Sequence, residues 1–191
     1  TTIDPIQLSK ILTNLKKQNI NNVIMEASSH GLSQNRLDGL SFNTGIFTNL
    51  SQDHLDYHKN IKNYLKAKLY LFEKLLKKNG NIITDEKIPE FKKIKNIASN
   101  KNLKLLSLSD KKNNFQFLSH QYEGESQLLE IKYENSIHKI KLNLIGKIQL
   151  KNFLMAVIAS IKSNVNIKDI LNVIPKIKSV EGRFDRVGKI K

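Results

Sequence analysis

The sequence contains no cysteine, which excludes a disulfide framework and any thiolate metal site. It has no run of eighteen apolar residues, so no membrane span is expected. Its opening residues, Thr1 to Lys10, lack a basic start followed by an apolar core, so no signal peptide is read there. A cytoplasmic protein fits these absences. Arginine is nearly missing too. Only Arg36, Arg183 and Arg186 occur, yet Lys and Arg together number 32 against 17 acids, a net charge of +15. Such an excess raises nucleic-acid binding as a possibility. Against it, the lysines are scattered, with Lys-Lys pairs at 16, 77, 92 and 111, and no aromatic stripe accompanies them. Abundant Lys, Asn and Ile are what A+T-rich coding would place on solvated faces, and no nucleic-acid partner is expected.

With 191 residues, the chain can bury one substantial core. Asp4 is expected to cap a first helix with Pro5 at its first position. Ile6, Leu8, Ile11, Leu12 and Leu15 follow at helical spacing. Val23-Ile24-Met25 reads as a buried strand ending in Glu26, followed by the polar loop Ala27 to Gly31. Residues 44–48 read as a second strand running into a polar loop from Asn49 to His58. The apolar spacing predicts a long helix over 61–77, stopped by Asn79-Gly80. A strand at 81–84, a helix at 89–98 and a strand at 103–108 come next. This alternation predicts an α/β fold with a mostly parallel sheet flanked by helices.

Beyond residue 108 the pattern changes. Residues 115–122, 128–133 and 137–144 read as strands joined by the turns Glu123-Gly124-Glu125 and Glu134-Asn135-Ser136, a small antiparallel β meander. Helices are expected at 150–162 and 167–177, with Asp169 in the first turn of the latter, where the helix dipole favours an acid.

Two polar loops thus follow neighbouring buried strands, the usual ligand position in open α/β sheets. One carries Glu26, Ser28, Ser29 and His30. The other carries Asn49, Asp53, His54, Asp56 and His58. Carboxylate and imidazole groups so placed can share a divalent cation. The spacing His54-x-x-x-His58 is by itself weak evidence, because loop histidines are commonly just solvated.

Three strings carry a resemblance to a known family. Met25-Glu26-Ala27-Ser28-Ser29-His30-Gly31-Leu32, the run from Phe47 to His58 (FTNLSQDHLDYH), and Tyr64-Leu65-Lys66-Ala67-Lys68 resemble the Mur ligases, and within them the MurE type. That type links a diamino acid to UDP-N-acetylmuramoyl-L-alanyl-D-glutamate. The match is strongest over 22–72 and continues weakly through most of the chain. It implies the central, ATP-binding domain of a three-domain ligase, P-loop NTPase-like, with residues 1–184 lacking the phosphate loop at its start. Residues 185–191 would begin the link to a C-terminal domain. On that reading both ends are cut, and the chain alone is expected to be inactive.

The resemblance also implies roles. Glu26 and His54 match ligands of Mg2+ at the ATP γ-phosphate. Lys68 matches a lysine carbamylated by CO2, which then helps hold a second Mg2+. Without the motif Lys68 would be read as one more surface lysine. Thr1, Thr2, Ser28, Gln34 and Arg36 match contacts to the UDP-N-acetylmuramoyl-dipeptide. Hydroxyl, amide and guanidinium groups suit such a substrate. Gly146-x-x-x-x-x-Asn152 resembles the nucleotide-side motif, with Gln149 in place of an earlier Asn. Asn152 reads equally as an adenine-side contact or as an ordinary helix cap. Gly182-Arg183-Phe184 matches the string whose Arg reaches the nucleotide. The implied reaction joins a diamino acid, meso-diaminopimelate or lysine, to the D-Glu carboxylate through an acyl phosphate, with ATP and Mg2+ and as a monomer. The rival readings are another ligase of the superfamily, such as folylpolyglutamate synthetase, and a basic nucleic-acid-binding module.

Overall fold

The computed structural model describes residues 2–108, 115–124 and 126–179. Thr1, Glu125, Arg183 and the expected linker 185–191 lie outside them. The chain divides into two compact units. The first comprises Thr1–Gly45, Asn49–Ile82 and Pro89–Leu105. The second comprises Ile46–Thr48, Ile83–Ile88 and Leu106–Lys191.

In the first unit, helix α1 (Pro5–Lys17) begins as the sequence predicts. Asp4 accepts from the Ile6 and Gln7 amides, each at 3.0 Å, and Pro5 occupies the first turn. Its apolar stripe is only partly used: Leu8 is buried while Ile6 and Ile11 remain exposed. The helix is followed by a correction. Val23-Ile24-Met25 forms no strand, and Ile24 is 98% exposed. A strand needs a ladder neighbour to satisfy its backbone, and among the described residues the neighbouring sheet contains only β1 (Phe42–Phe47), β2 (Leu76–Thr84) and β3 (Lys104–Ser107). Glu26 therefore sits on an irregular segment. The loop expected after it is shorter than predicted, because helix α2 (Ser29–Ser33) starts at once, capped by the Ser28 hydroxyl.

Helices α3 (Leu55–His58) and α4 (Ile61–Tyr70) follow β1. The long helix expected to residue 77 ends earlier. A π turn, Leu71–Leu75, leads directly into β2. Asn79-Gly80 is therefore not a helix stop but lies inside that strand. Asn79 takes the left-handed conformation at φ 62°. A side chain at Gly80 would meet the Lys77 carbonyl oxygen at 2.9 Å and that of Asn43 at 3.1 Å, so close backbone favours glycine there. Helix α5 (Phe91–Asn100) joins β2 to β3. The three strands form a parallel sheet in the order β1-β2-β3, flanked by helices, as the alternation predicts.

In the second unit, β4 (Phe115–Glu123), β5 (Ser126–Tyr133) and β6 (Ser136–Leu142) form the expected antiparallel meander, with Ile131 opposite Phe117 and His138 and Leu129 opposite Ile140. Alternate residues of β5, Gln127, Leu129 and Ile131, face inward and are almost fully buried. Leu129 and Ile131 share a core with Leu142, Leu154 and Met155, each such side chain contributing about 1.5–3 kcal/mol of burial. Helix α6 (Lys147–Lys162) starts three residues earlier than expected, and α7 (Ile167–Val173) runs into a 3-10 turn, Ile174–Lys176. Among the described residues no helix is long and apolar enough to cross a membrane.

Candidate functional site

Most of the predicted site residues lie in the first unit, on three short pieces of chain. The first piece is the segment before α2. Glu26 is exposed. Its carbonyl oxygen accepts from the Thr2 hydroxyl at 3.0 Å. Ser28 donates its amide (2.9 Å) and hydroxyl (3.1 Å) to the same Thr2 oxygen. Arg36, half-buried, donates from Nη1 to the Thr2 carbonyl at 2.9 Å, and Gln34 donates to the Tyr57 hydroxyl at 3.1 Å. These bonds gather Thr2, Ser28, Gln34 and Arg36 around α2.

The second piece is the loop ending in α3. His54 opens that helix in the left-handed conformation, φ 56°, a minor backbone state for a residue with a side chain. Asp53 supports it. Its carboxylate accepts the His54 amide at 2.8 Å and stands 3.6 Å from Nδ1 of the same imidazole. A carboxylate that bonds one ring nitrogen is the arrangement found behind metal-binding histidines, and Asp53 stands within reach of that role. Asp53 was named among the loop residues but given no role by sequence; its adjacency to His54 was the available signal.

Rings pack around this loop. His30 lies 4.9 Å from His54 and 5.4 Å from His58, centroid to centroid. Tyr64 stacks on His58 at 5.1 Å and meets His54 edge-on at 5.9 Å. His58 is buried, and its Nε2 is 3.0 Å from the Ser29 hydroxyl. Burial pushes the His58 pKa below the ordinary histidine value, helped by the neighbouring His30 and His54 and opposed by Asp56.

The third piece is α4. Lys68, one turn beyond Tyr64, holds its ammonium 5.5 Å from that ring's centre. His54 and Lys68 therefore flank the same tyrosine. Lys68 is half-buried whereas Lys66 is exposed. Burial lowers the Lys68 pKa from its ordinary value, against the upward pull of Glu90 and then Glu26. The two acids are thus within electrostatic reach of the amine. Glu90, just before α5, was missed by the sequence reading, since nothing local marks it. Among the described residues, no three His, Asp or Glu side chains are grouped to hold a metal ion by themselves.

Asn152 belongs to the second unit and is half-buried within α6. It is not a cap. That position falls to Gly146, whose φ of 90° suits glycine alone. The buried Gln127 amide holds the approach to α6 by donating to the Leu144 carbonyl at 2.5 Å. Next to Asn152, Lys151 pairs with the buried Asp85 at 2.5 Å.

Comparison with known proteins identifies the family. Residues 1–160 match the Mur ligase middle domain. The chain is 34% identical over 187 residues to a UDP-N-acetylmuramoyl-L-alanyl-D-glutamate--2,6-diaminopimelate ligase of Rickettsia montanensis, covering 98% of the chain and 39% of that protein. The Rickettsia typhi protein of the same name is 35% identical, with 98% and 38% covered. A solved structure of a ligase so named superposes with a TM-score of 0.84 at 26% identity, over 100% of the chain and 39% of its own length. The chain thus spans about 39% of the relatives it matches. On these matches the chain belongs to the Mur ligase family.

Proposed function

We propose that this chain is the ATP-handling part of a ligase that adds meso-diaminopimelate to UDP-N-acetylmuramoyl-L-alanyl-D-glutamate. Its curated relatives carry that name. The observation that carries the reading at the site is the setting of Lys68: half-buried, against Tyr64, and facing two acids. Only a neutral amine attacks CO2, and burial favours the neutral form. The amine would lose a proton and gain a carboxylate, turning a cation into an anion. Lys66, exposed on another face, has no such setting.

The donor set fits Mg2+, which prefers oxygen ligands and keeps several waters. Glu26 and His54 would hold it, with Asp53 beside the imidazole, and the Lys68 carbamate would help hold a second such ion. When bound it would offset negative charge as a carboxylate approaches the γ-phosphate of ATP. On this reading the D-Glu carboxylate attacks the γ-phosphorus and ADP leaves. The diamino acid's amine then attacks the resulting acyl phosphate, and loss of phosphate leaves an amide. No protein nucleophile is needed. Gln34 and Arg36 face the dipeptide substrate, together with Thr1, Thr2 and Ser28. Asn152 and Arg183 serve the nucleotide. The enzyme would act in the cytoplasm as a monomer.

The test is ligation by the full-length protein containing this chain, with ATP and Mg2+. UDP-N-acetylmuramoyl-L-Ala-D-Glu plus meso-diaminopimelate should give ADP, phosphate and the tripeptide. Turnover with a folate and glutamate instead would assign the folylpolyglutamate reading. Salt-sensitive binding to generic DNA without any ligation would return the nucleic-acid reading.

A further inference from the structure

The string from Gly146 to Asn152 opens α6 without a side-chain cap, since Gly146 has none to offer. Glycine tolerates many backbone conformations besides φ 90°, so residue 146 does not by itself fix the direction in which the helix leaves. Gln127, on the middle strand of the meander, meets that turn from outside. It is 1% exposed. Its amide nitrogen donates to the Leu144 carbonyl at 2.5 Å and, more weakly, to the Gly146 carbonyl at 3.4 Å. The Gly146 carbonyl also accepts the Leu150 amide at 3.1 Å, at the start of α6. One side chain thus holds the backbone on both sides of Ile145, where β6 gives way to the helix.

The other end of the same amide is fixed as well. A carbonyl can only accept, so the Gln127 group facing Leu144 and Gly146 is the NH2. Its Oε1 then faces His120 on β4, whose Nε2 stands 2.8 Å away. That oxygen accepts too, so His120 carries a hydrogen on Nε2. A flipped amide would set oxygen against both carbonyls. The sequence His120, Gln127, Leu144 and Gly146 is therefore a one-way chain of donors. Beside it, the Ser126 hydroxyl donates to the Asn143 side chain at 2.9 Å. The β5–β6 ladder reaches the Gln127–Leu142 pair, and the Gln127 side chain carries the hold of β5 onward to α6. Asn152 follows in the second turn of that helix, half-buried.

We propose that Gln127 is a positioning residue for nucleotide binding: by holding the Leu144 and Gly146 carbonyls it sets the entry of α6, and with it the place of Asn152. The proposal rests on reading Asn152 as an adenine-side contact, and a double-variant cycle separates the two. The full-length protein carries Gln127→Met, which keeps the volume and removes the amide, or Asn152→Ala, or both. ADP binding with Mg2+ is measured by calorimetry, and KM for the UDP-dipeptide by steady-state kinetics, at a temperature where melts show each variant folded. A displacement of about 1 Å can cost about a hundredfold. Because the buried Leu150, Phe153 and Leu154 also hold α6, Gln127→Met should weaken ADP binding by less, about tenfold. KM for the UDP-dipeptide should stay within about twofold. Residues that act through one another are not additive, so in the Asn152→Ala protein Gln127→Met should change ADP binding by less than about twofold.

An equal loss in both backgrounds overturns the proposal, because Gln127 then acts by some route other than Asn152. If Asn152→Ala weakens ADP binding while Gln127→Met does not, only the positioning role fails. If Asn152→Ala binds ADP as the unaltered protein does, the adenine-side reading fails, and the positioning role with it. Should Gln127→Met fail to fold, His120→Phe takes its place. It keeps a ring beside Tyr122 and withdraws the donor to the Gln127 oxygen. It must weaken ADP binding when Asn152 is present and leave it unaltered in the Asn152→Ala protein; any other pattern overturns the proposal.

Discussion

Replacing Lys151 by Met should destabilise the second unit measurably, and its structure indicates by how much. Asp85, just after β2, has a side chain only 3% exposed. Its Oδ1 accepts the Lys87 amide at 3.0 Å. Its Oδ2 has the Lys151 ammonium at 2.5 Å, an ion pair whose direction falls outside hydrogen-bond geometry, and no other donor reaches that oxygen among the described residues. Removing one partner of a fully buried pair costs about 3–5 kcal/mol, because the remaining charge is uncompensated. The Lys151 side chain is 45% exposed, however, so water already screens it. About 2 kcal/mol is the expected loss. For a chain of this size that corresponds to a fall in Tm of about 4–8 °C. Adding Asp85→Asn to Lys151→Met should recover much of it, since the orphaned charge is then gone. Thermal melts of the 191-residue chain by circular dichroism read both. A shift under about 2 °C for Lys151→Met, or strict additivity in the double variant, would refute the argument that a buried carboxylate depends on this cation.

Other outcomes follow from the first unit. Glu26→Ala and His54→Ala should each cut ligase turnover of the full-length protein by about a hundredfold or more while leaving Tm nearly unchanged; near-normal turnover defeats the ligand assignment. Lys68→Ala should be partly rescued by added short carboxylic acids standing in for the carbamate, whereas Lys66→Ala should need no rescue; absence of recovery counts against carbamylation. The lowered pKa of His58 gives a pH dependence with a defined sign. Below its ordinary value of 6.5 the unfolded chain takes up a proton that the folded chain resists. Its contribution to stability is therefore complete above that pH and is lost as pH falls toward the folded-state value. His58→Asn should flatten the slope of Tm against pH below 6.5, and an unchanged slope would assign it to other groups.

Local chemistry was legible wherever its cause is local. Asp4 and Pro5 mark the start of α1 because the cap needs only adjacent amides. The alternating residues of β5 announce a strand buried on one face. The strings around Glu26, His54 and Lys68 were equally readable as strings. What failed were judgements that depend on neighbours. Val23-Ile24-Met25 has strand composition but no ladder, and Asn79-Gly80 has stop-signal composition but lies within β2.

Composition and spacing alone therefore determined the α/β class and the meander, while the resemblance of short strings named the residues expected to carry chemistry, since propensity, capping and motif identity act over a few positions. Only the tertiary structure decided what those residues do for one another. It put Tyr64 between His54 and Lys68, brought Glu90 toward the amine, set Asp53 behind His54 and spent the Thr2 hydroxyl on Glu26 and Ser28. Burial and long-range hydrogen bonds join positions far apart along the chain, and no local pattern records which of many lysines or hydroxyls will be enclosed.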